Sequence, residues 1–268
     1  MKQVNLTQQK HETKIGKQCP YIEANVTEDS IFYLDGEPVG FYMTQMTDKM
    51  CKLADIANKE FQSKNVPKSL LERSDIIAKN KETGISRKTL AKMGLGTAQM
   101  SAILGGVPPK PHMRRPYPTI SSVHSVKSAK TFIKAMLMLA KESEQLIKEI
   151  MPKQYKAQTK LFEDVDNKWR FGNLFTSSIS NYNISAPFHR DTGNIKGAVN
   201  VIICKRNNSK GGDLHVPDYD ITIGQQDNSI LVYPAWKNIH GVTPIIPTHE
   251  GGYRNSLIFY PLKAFKGI

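Results

Sequence analysis

The chain has 268 residues, 39% of them hydrophobic and 8% aromatic, which excludes wholesale disorder and fits one large domain or a catalytic domain with an appended lobe. Thirty-seven Lys and Arg against 24 Asp and Glu leave a net charge of +13, which favours a polyanionic partner such as nucleic acid or an acidic surface. Three scattered cysteines, Cys19, Cys51 and Cys204, form no CxxC pair; they exclude a disulfide framework and a Cys-rich zinc site and fit a reducing, cytoplasmic compartment.

The N-terminal stretch MKQVNLTQQKHETK is polar, and no apolar run approaches the length of a membrane span, so a soluble intracellular protein is expected. From Phe41 to about Asn80 the pattern is helix-like, with Met46, Met50, Leu53, Ile56 and Ala57 at helical spacing. Residues 104–120, LGGVPPKPHMRRPYPTI, are rich in Pro and Gly and predict an extended surface segment. An amphipathic helix follows, with Ser128 as N-cap, Phe132, Ile133, Met136, Leu137, Ala140, Leu146, Ile147 and Ile150 on its apolar face, and Pro152 closing it. Met136, Met138 and Met151 sit in or beside this stripe and are expected to pack in the core.

After Trp169 the pattern changes to short β-type runs: NLFTSSIS, GAVNVIIC, GDLHV, DITI, SILVYP, HGVTPII and YRNSLIFYPL. Such runs without intervening helices read as an antiparallel sandwich or barrel. The expected fold class is therefore α+β, a helical and irregular, basic N-terminal region (residues 1–124) packed on a β-rich C-terminal half (residues 125–268) that includes its leading helix, as one compact unit.

The chemistry gathers in the β half. In PFHRDTGN, His189 and Asp191 are two residues apart, so alternation along a strand or its exit lets both point inward while Arg190 points away. His240 ends SILVYPAWKNIH, and Arg254 with Ser256 opens the last strand. Two imidazoles and one carboxylate on one face of a metal leave sites open, the arrangement of non-haem Fe(II) oxygenases. An Arg nearby suits the far carboxylate of 2-oxoglutarate, because its planar fork makes paired charge-assisted hydrogen bonds. Asp213 and His215 form a second alternating pair, read as a strand pair beside a turn, and His249 is read as a solvated loop residue. His11, His112 and His124 lie in polar or irregular stretches and are assigned no role.

The order HxD…H…R resembles that of the 2-oxoglutarate/Fe(II)-dependent dioxygenases. HRDTGN supplies the longer pattern HxDxxN (His189, Asp191, Asn194), and RNS supplies RxS (Arg254, Ser256). Both are similar to the TET/JBP branch, as are the GGDL turn at Gly211–Leu214 and the Gly224…Asp227 turn, over about residues 125–262. The compact domain looks more like viral, phage or JBP-type members than animal TET proteins. The resemblance implies a double-stranded β-helix (jelly-roll) core, with Fe(II) held by His189, Asp191 and His240 and 2-oxoglutarate and O2 as cosubstrates. It further implies Arg254 on the 2-oxoglutarate carboxylate, Ser256 in support, and Asn194 as a substrate-side residue, for which a turn role is the alternative.

The implied reaction is hydroxylation of the 5-methyl group of thymine or 5-methylcytosine in DNA, on an extruded or single-stranded base. Residues 61–130 hold thirteen Lys and Arg against three acidic residues, so +10 of the chain's +13 is concentrated there. Arg87, Lys88, Arg114, Arg115 and Tyr117 in this stretch are the expected nucleic-acid contacts. Two alternatives stay open on sequence: the same chemistry on a small molecule or protein side chain, and a non-enzymatic nucleic-acid-binding protein.

Overall fold

The computed structural model describes residues 1–71, 80–86, 89 and 99–268. In chain order the strands are β1 (Lys2–Asn5), β2 (Ser30–Leu34), β3 (Glu37–Met43), β4 (Ser69–Leu71), β5 (Gln99–Val107), β6 (Thr119–Ile120), β7 (Ser177–Tyr182) and β8 (Ala186–His189). They continue as β9 (Asn200–Asn207), β10 (Ser209–Gly211), β11 (Leu214–Val216), β12 (Ile221–Ile223), β13 (Ile230–Tyr233), β14 (His240–Val242), β15 (Ile245–Pro247) and β16 (Tyr253–Tyr260). The long helices among the described residues are α1 (Asp48–Gln62), α2 (Lys130–Ile150) and α3 (Pro152–Leu161). None is long and apolar enough to cross a membrane.

A large sheet runs β1-β2-β3-β13-β9-β16-β7-β5-β4, with β6 paired to β5, and a four-stranded sheet runs β12-β11-β14-β8. These are the two layers of a jelly roll. Strand alternation sorts the large sheet's side chains between two cores. Val201, Ile203, Ile230, Val232, Leu257 and Phe259 pack outward against Met50, Phe61, Phe132, Met136 and Leu139 of α1 and α2. Their alternates Ile202 and Leu231 face Leu214, Val216 and Ile223 of the small sheet.

The N-terminal half differs from the helical expectation. Helix α1 does bury Met50, Leu53 and Ala57, with Ile56 exposed, but Phe41 and Met43 lie in β3 and pair with β13. The missed signal was Asp35-Gly36 between SIFYL and EPVGFYM. Both residues adopt positive φ, +52° and +79°, the geometry of a two-residue hairpin turn that favours such a pair. Residues 104–107 likewise belong to β5, an inner strand bonded to β7 on one side, rather than to a surface segment. Gly105 carries φ +74°, and a Cβ there would come 2.5 Å from the Thr176 carbonyl oxygen. The Pro-rich residues after it form a hairpin, closed by backbone hydrogen bonds between Lys110 and Arg115 and followed by β6.

Helix α2 buries Phe132, Met136, Ala140, Leu146 and Ile147, as its periodicity predicts, and Met151 is also buried. Its start differs: Ala129 is the N-cap, after a short 3-10 turn, and the Ser128 hydroxyl donates to the Asn65 carbonyl. Pro152 opens α3 at its first position, where the missing N–H leaves no hydrogen bond unmade.

Candidate active site

The small sheet brings the predicted triad together. His189 ends β8, His240 begins β14, and the two are direct partners in the ladder. Asp191 lies at the exit of β8, just ahead of a turn, with its N–H donating to the Ala235 carbonyl. One ligand atom from each of His189, Asp191 and His240 lies within 4.8 Å of the others. The imidazole centroids are 4.3 Å apart, and Nε2 of His189 is 3.5 Å from Oδ1 of Asp191. Arg190 is exposed at the rim of the same cavity.

The surroundings fix which ring nitrogen faces inward. Nδ1 of His189 is 2.7 Å from the Pro187 carbonyl, and Nδ1 of His240 is 3.1 Å from that of Asn238. A carbonyl only accepts, so each Nδ1 carries the hydrogen and each Nε2 lone pair is free for a metal. Burial pushes the His240 pKa down to about 4, helped by the nearby His189, so this imidazole is neutral at ordinary pH. The His189 pKa is raised, chiefly by its contact with Asp191. Burial alone would raise the Asp191 pKa, but the His189 contact, with the hydrogen bond from Asn200, outweighs it and holds the carboxyl below its usual range. Two neutral-capable imidazoles and an ionised carboxylate fit a divalent metal.

The cavity over this cluster has a volume of about 460 Å³, within the size range of small-molecule sites. Arg254 and Ser256 enter it from β16, on the alternation that also turns Ile258 and Tyr260 inward. Arg254 is only 3% exposed, its Nε has no hydrogen-bond partner, and it forms no ion pair with the described residues. A buried guanidinium with an orphaned N–H fits a ligand carboxylate. Gly212, at φ +72°, makes room for it: a Cβ there would lie 2.4 Å from Cδ of Arg254. The Ser256 hydroxyl is 3.4 Å from the Asn181 carbonyl, a long contact.

Asn194 lines the cavity, but its Nδ2 is already engaged by Oδ1 of Asn200 at 2.8 Å, with Oδ2 of Asp191 at 3.4 Å. Its amide oxygen alone is left for a ligand. Sequence reasoning missed Asn200, Tyr233 and Tyr260. Even spacing from Arg254 could have found Tyr260, whereas Asn200 and Tyr233 depend on the pairing of β9 with β13, a long-range fact. Tyr233 meets His240 edge-on at 5.4 Å, and burial raises the pKa of both tyrosines, so both hydroxyls stay protonated.

The second pair is separate from this cluster: Asp213 accepts from the Gln225 N–H, and His215 Nδ1 contacts the Thr222 hydroxyl at 2.9 Å. His249 is exposed in its loop, as expected.

Of the expected nucleic-acid contacts, Arg114 and Tyr117 are exposed on the Pro-rich hairpin. Arg115 is turned inward, donating to the Pro108 carbonyl and the Thr119 hydroxyl, so it staples the hairpin instead. Arg87 and Lys88 lie outside the described residues. The hairpin leaves β5 at the sheet end where Gly105 and Tyr260 both pair with Ser177, and Tyr260 lines the cavity at that end.

Residues 109–263 match the family model Tet_JBP, described as the oxygenase domain of the 2OGFeDO superfamily. No curated protein matches the sequence. Among solved structures, the fold is similar to that of NgTET1 in complex with 5mC DNA, with a TM-score of 0.56 at 12% identity over 95% of this chain and 84% of that one. A weaker likeness, TM-score 0.41 at 12% identity over 84% and 75% of the chains, is to full-length Neurospora crassa T7H in complex with alpha-KG. The expected α+β jelly-roll class therefore holds, and the cofactors of the superfamily are Fe(II), 2-oxoglutarate and O2. The chain belongs to the Tet_JBP family and is a 2-oxoglutarate-dependent dioxygenase.

Proposed function

We propose that this dioxygenase hydroxylates the 5-methyl group of a pyrimidine, thymine or 5-methylcytosine, in DNA. The observation that carries the proposal is the basic hairpin, with Arg114 and Tyr117 exposed, at the sheet end where Tyr260 reaches the cavity. The concentration of +10 in residues 61–130 supports it, since clustered cations serve a phosphate backbone better than scattered ones.

In this reading Nε2 of His189, Nε2 of His240 and a carboxylate oxygen of Asp191 hold Fe(II), and Arg254 pairs with the far carboxylate of 2-oxoglutarate beside Ser256. Bound iron and 2-oxoglutarate supply the oxidising chemistry that inserts one oxygen atom of O2 into a C–H bond. The protein orients and encloses. Ile258, Leu262 and Val242 give the cavity apolar walls that limit water. The Asn194 amide oxygen accepts from an N–H on the base edge. A methyl group inside a duplex cannot enter such a cavity, so the nucleotide is extruded, at a cost of roughly a few kcal/mol, or is taken from a single strand. Arg114 holds a phosphate and Tyr117 offers a stacking face, with Arg87 and Lys88 assigned to the same track.

The test is succinate formation with Fe(II), 2-oxoglutarate and oligonucleotides that differ only in the pyrimidine C5 methyl. Turnover should rise with the methylated strand. Equal turnover with methylated, unmethylated and no DNA would contradict a DNA substrate.

A further inference from the structure

We infer that Asn200 is a positioning residue for the Asp191 carboxylate and that Asn194 braces it; this rests on the assignment of His189, Asp191 and His240 as iron ligands. The two oxygens of Asp191 have different partners. Oδ1 faces Nε2 of His189 at 3.5 Å, while Oδ2 accepts from Nδ2 of Asn200 at 3.0 Å. The Oδ1 of Asn200 in turn accepts from Nδ2 of Asn194 at 2.8 Å.

Polarity fixes this arrangement. An ionised carboxylate only accepts, so Asn200 must turn its NH2 toward Asp191. Its oxygen then faces Asn194, which must answer with its own NH2. Flipping either amide would set oxygen against oxygen. Asn200 and Asn194 are 2% and 3% exposed, so water does not compete for these bonds.

The brace joins three parts of the fold. Asn200 begins β9 opposite Tyr233, Asn194 pairs with Leu262 just beyond β16, and Asp191 follows β8. Asn194 also returns to the ligand turn, its N–H donating to the Asp191 carbonyl at 2.9 Å. With Oδ2 held, Oδ1 is the oxygen kept toward the His189 imidazole. A carboxylate without that hold rotates, and its partner's loss weakens the metal site.

The experiment is Mn(II) titration followed by electron paramagnetic resonance, alongside melting curves, on the whole chain and its variants. Asn200→Ala should weaken Mn(II) binding by about tenfold to a hundredfold, the usual effect of removing a hydrogen-bond partner of a metal ligand. Asn194→Ala should weaken it less. The double variant should be little worse than Asn200→Ala alone, because Asn194 acts mainly through Asn200, its own contact with Oδ2 of Asp191 being long at 3.4 Å. Asn200→Leu, which fills the same space without an amide, should reproduce the Asn200→Ala loss and covers the case in which the alanine variant does not fold. Unchanged Mn(II) affinity in folded Asn200 variants, with only the melting temperature lowered, would reduce Asn200 to a packing role and overturn the inference. Asp191→Ala separates the two levels: if it loses Mn(II) and Asn200→Ala does not, the brace alone is wrong. If Asp191→Ala keeps Mn(II), the ligand assignment itself falls.

Discussion

Arg254 is a buried cation in the cavity wall that the protein leaves partly unpartnered. Its guanidinium is buried, and its Nε is unpartnered beside a glycine whose missing side chain makes the space. Charged hydrogen bonds of this kind contribute about 1.5–3 kcal/mol, so Arg254→Met should raise the KM for 2-oxoglutarate by roughly tenfold to a hundredfold, with metal affinity retained. An unchanged KM would remove Arg254 from the cosubstrate site. His240→Ala, by contrast, should abolish 2-oxoglutarate turnover while circular dichroism still reports the native fold. The triad, Arg254 and Ser256 were legible in the sequence because strand spacing and ligand chemistry both constrain them. The engagement of Asn194 was not, since its partner Asn200 reaches it only in the folded chain.

Among the elements, α2 does more than cover the large sheet. Its buried Glu144 accepts the N–H groups of Asn173 and Leu174 and the Nδ2 of Asn173, fixing the loop that leads toward β7. Gly172, at φ +80°, allows the close approach. Glu144→Ala leaves those donors unpaired and should lower stability by about 2–3 kcal/mol, read from the urea midpoint. A change under about 0.5 kcal/mol would contradict this anchoring role.

His124 makes the packing of β5 sensitive to pH. Its Nε2 accepts the Gly105 N–H at 2.9 Å, and burial lowers its pKa from 6.5. The unfolded chain therefore binds a proton at a pH where the folded chain does not. Stability should fall as pH drops from about 6.5 toward the lower folded value. His124→Gln should flatten that part of the profile; an unaltered profile would contradict the assignment. The apolar stripe of α2 was legible because helical periodicity is local. The β2–β3 hairpin carries a local signal in Asp35-Gly36. The placement of β3 beside β13 and of β5 beside β7 was not legible, because those partners lie far along the chain. Pro and Gly in 104–120 also masked a strand whose glycines serve close packing.

Across the chain, the surplus of +13 becomes a local feature, most of it in residues 61–130, which include β5 of the large sheet and the start of the matched oxygenase region. If the hairpin follows a phosphate backbone, DNA affinity should fall steeply with salt, and Arg114→Ala should reduce the logarithmic salt slope by about one. Arg115→Ala should instead act through the hairpin's stability, because its guanidinium is committed to Pro108 and Thr119. The most direct measurement is mass spectrometry of nucleosides from methylated DNA treated with the enzyme, Fe(II), 2-oxoglutarate and O2, with Asp191→Ala as control. The account predicts a 5-hydroxymethylpyrimidine nucleoside, formed in step with succinate and absent from the control. Succinate formation with only unmodified and methylated bases in the DNA would contradict it.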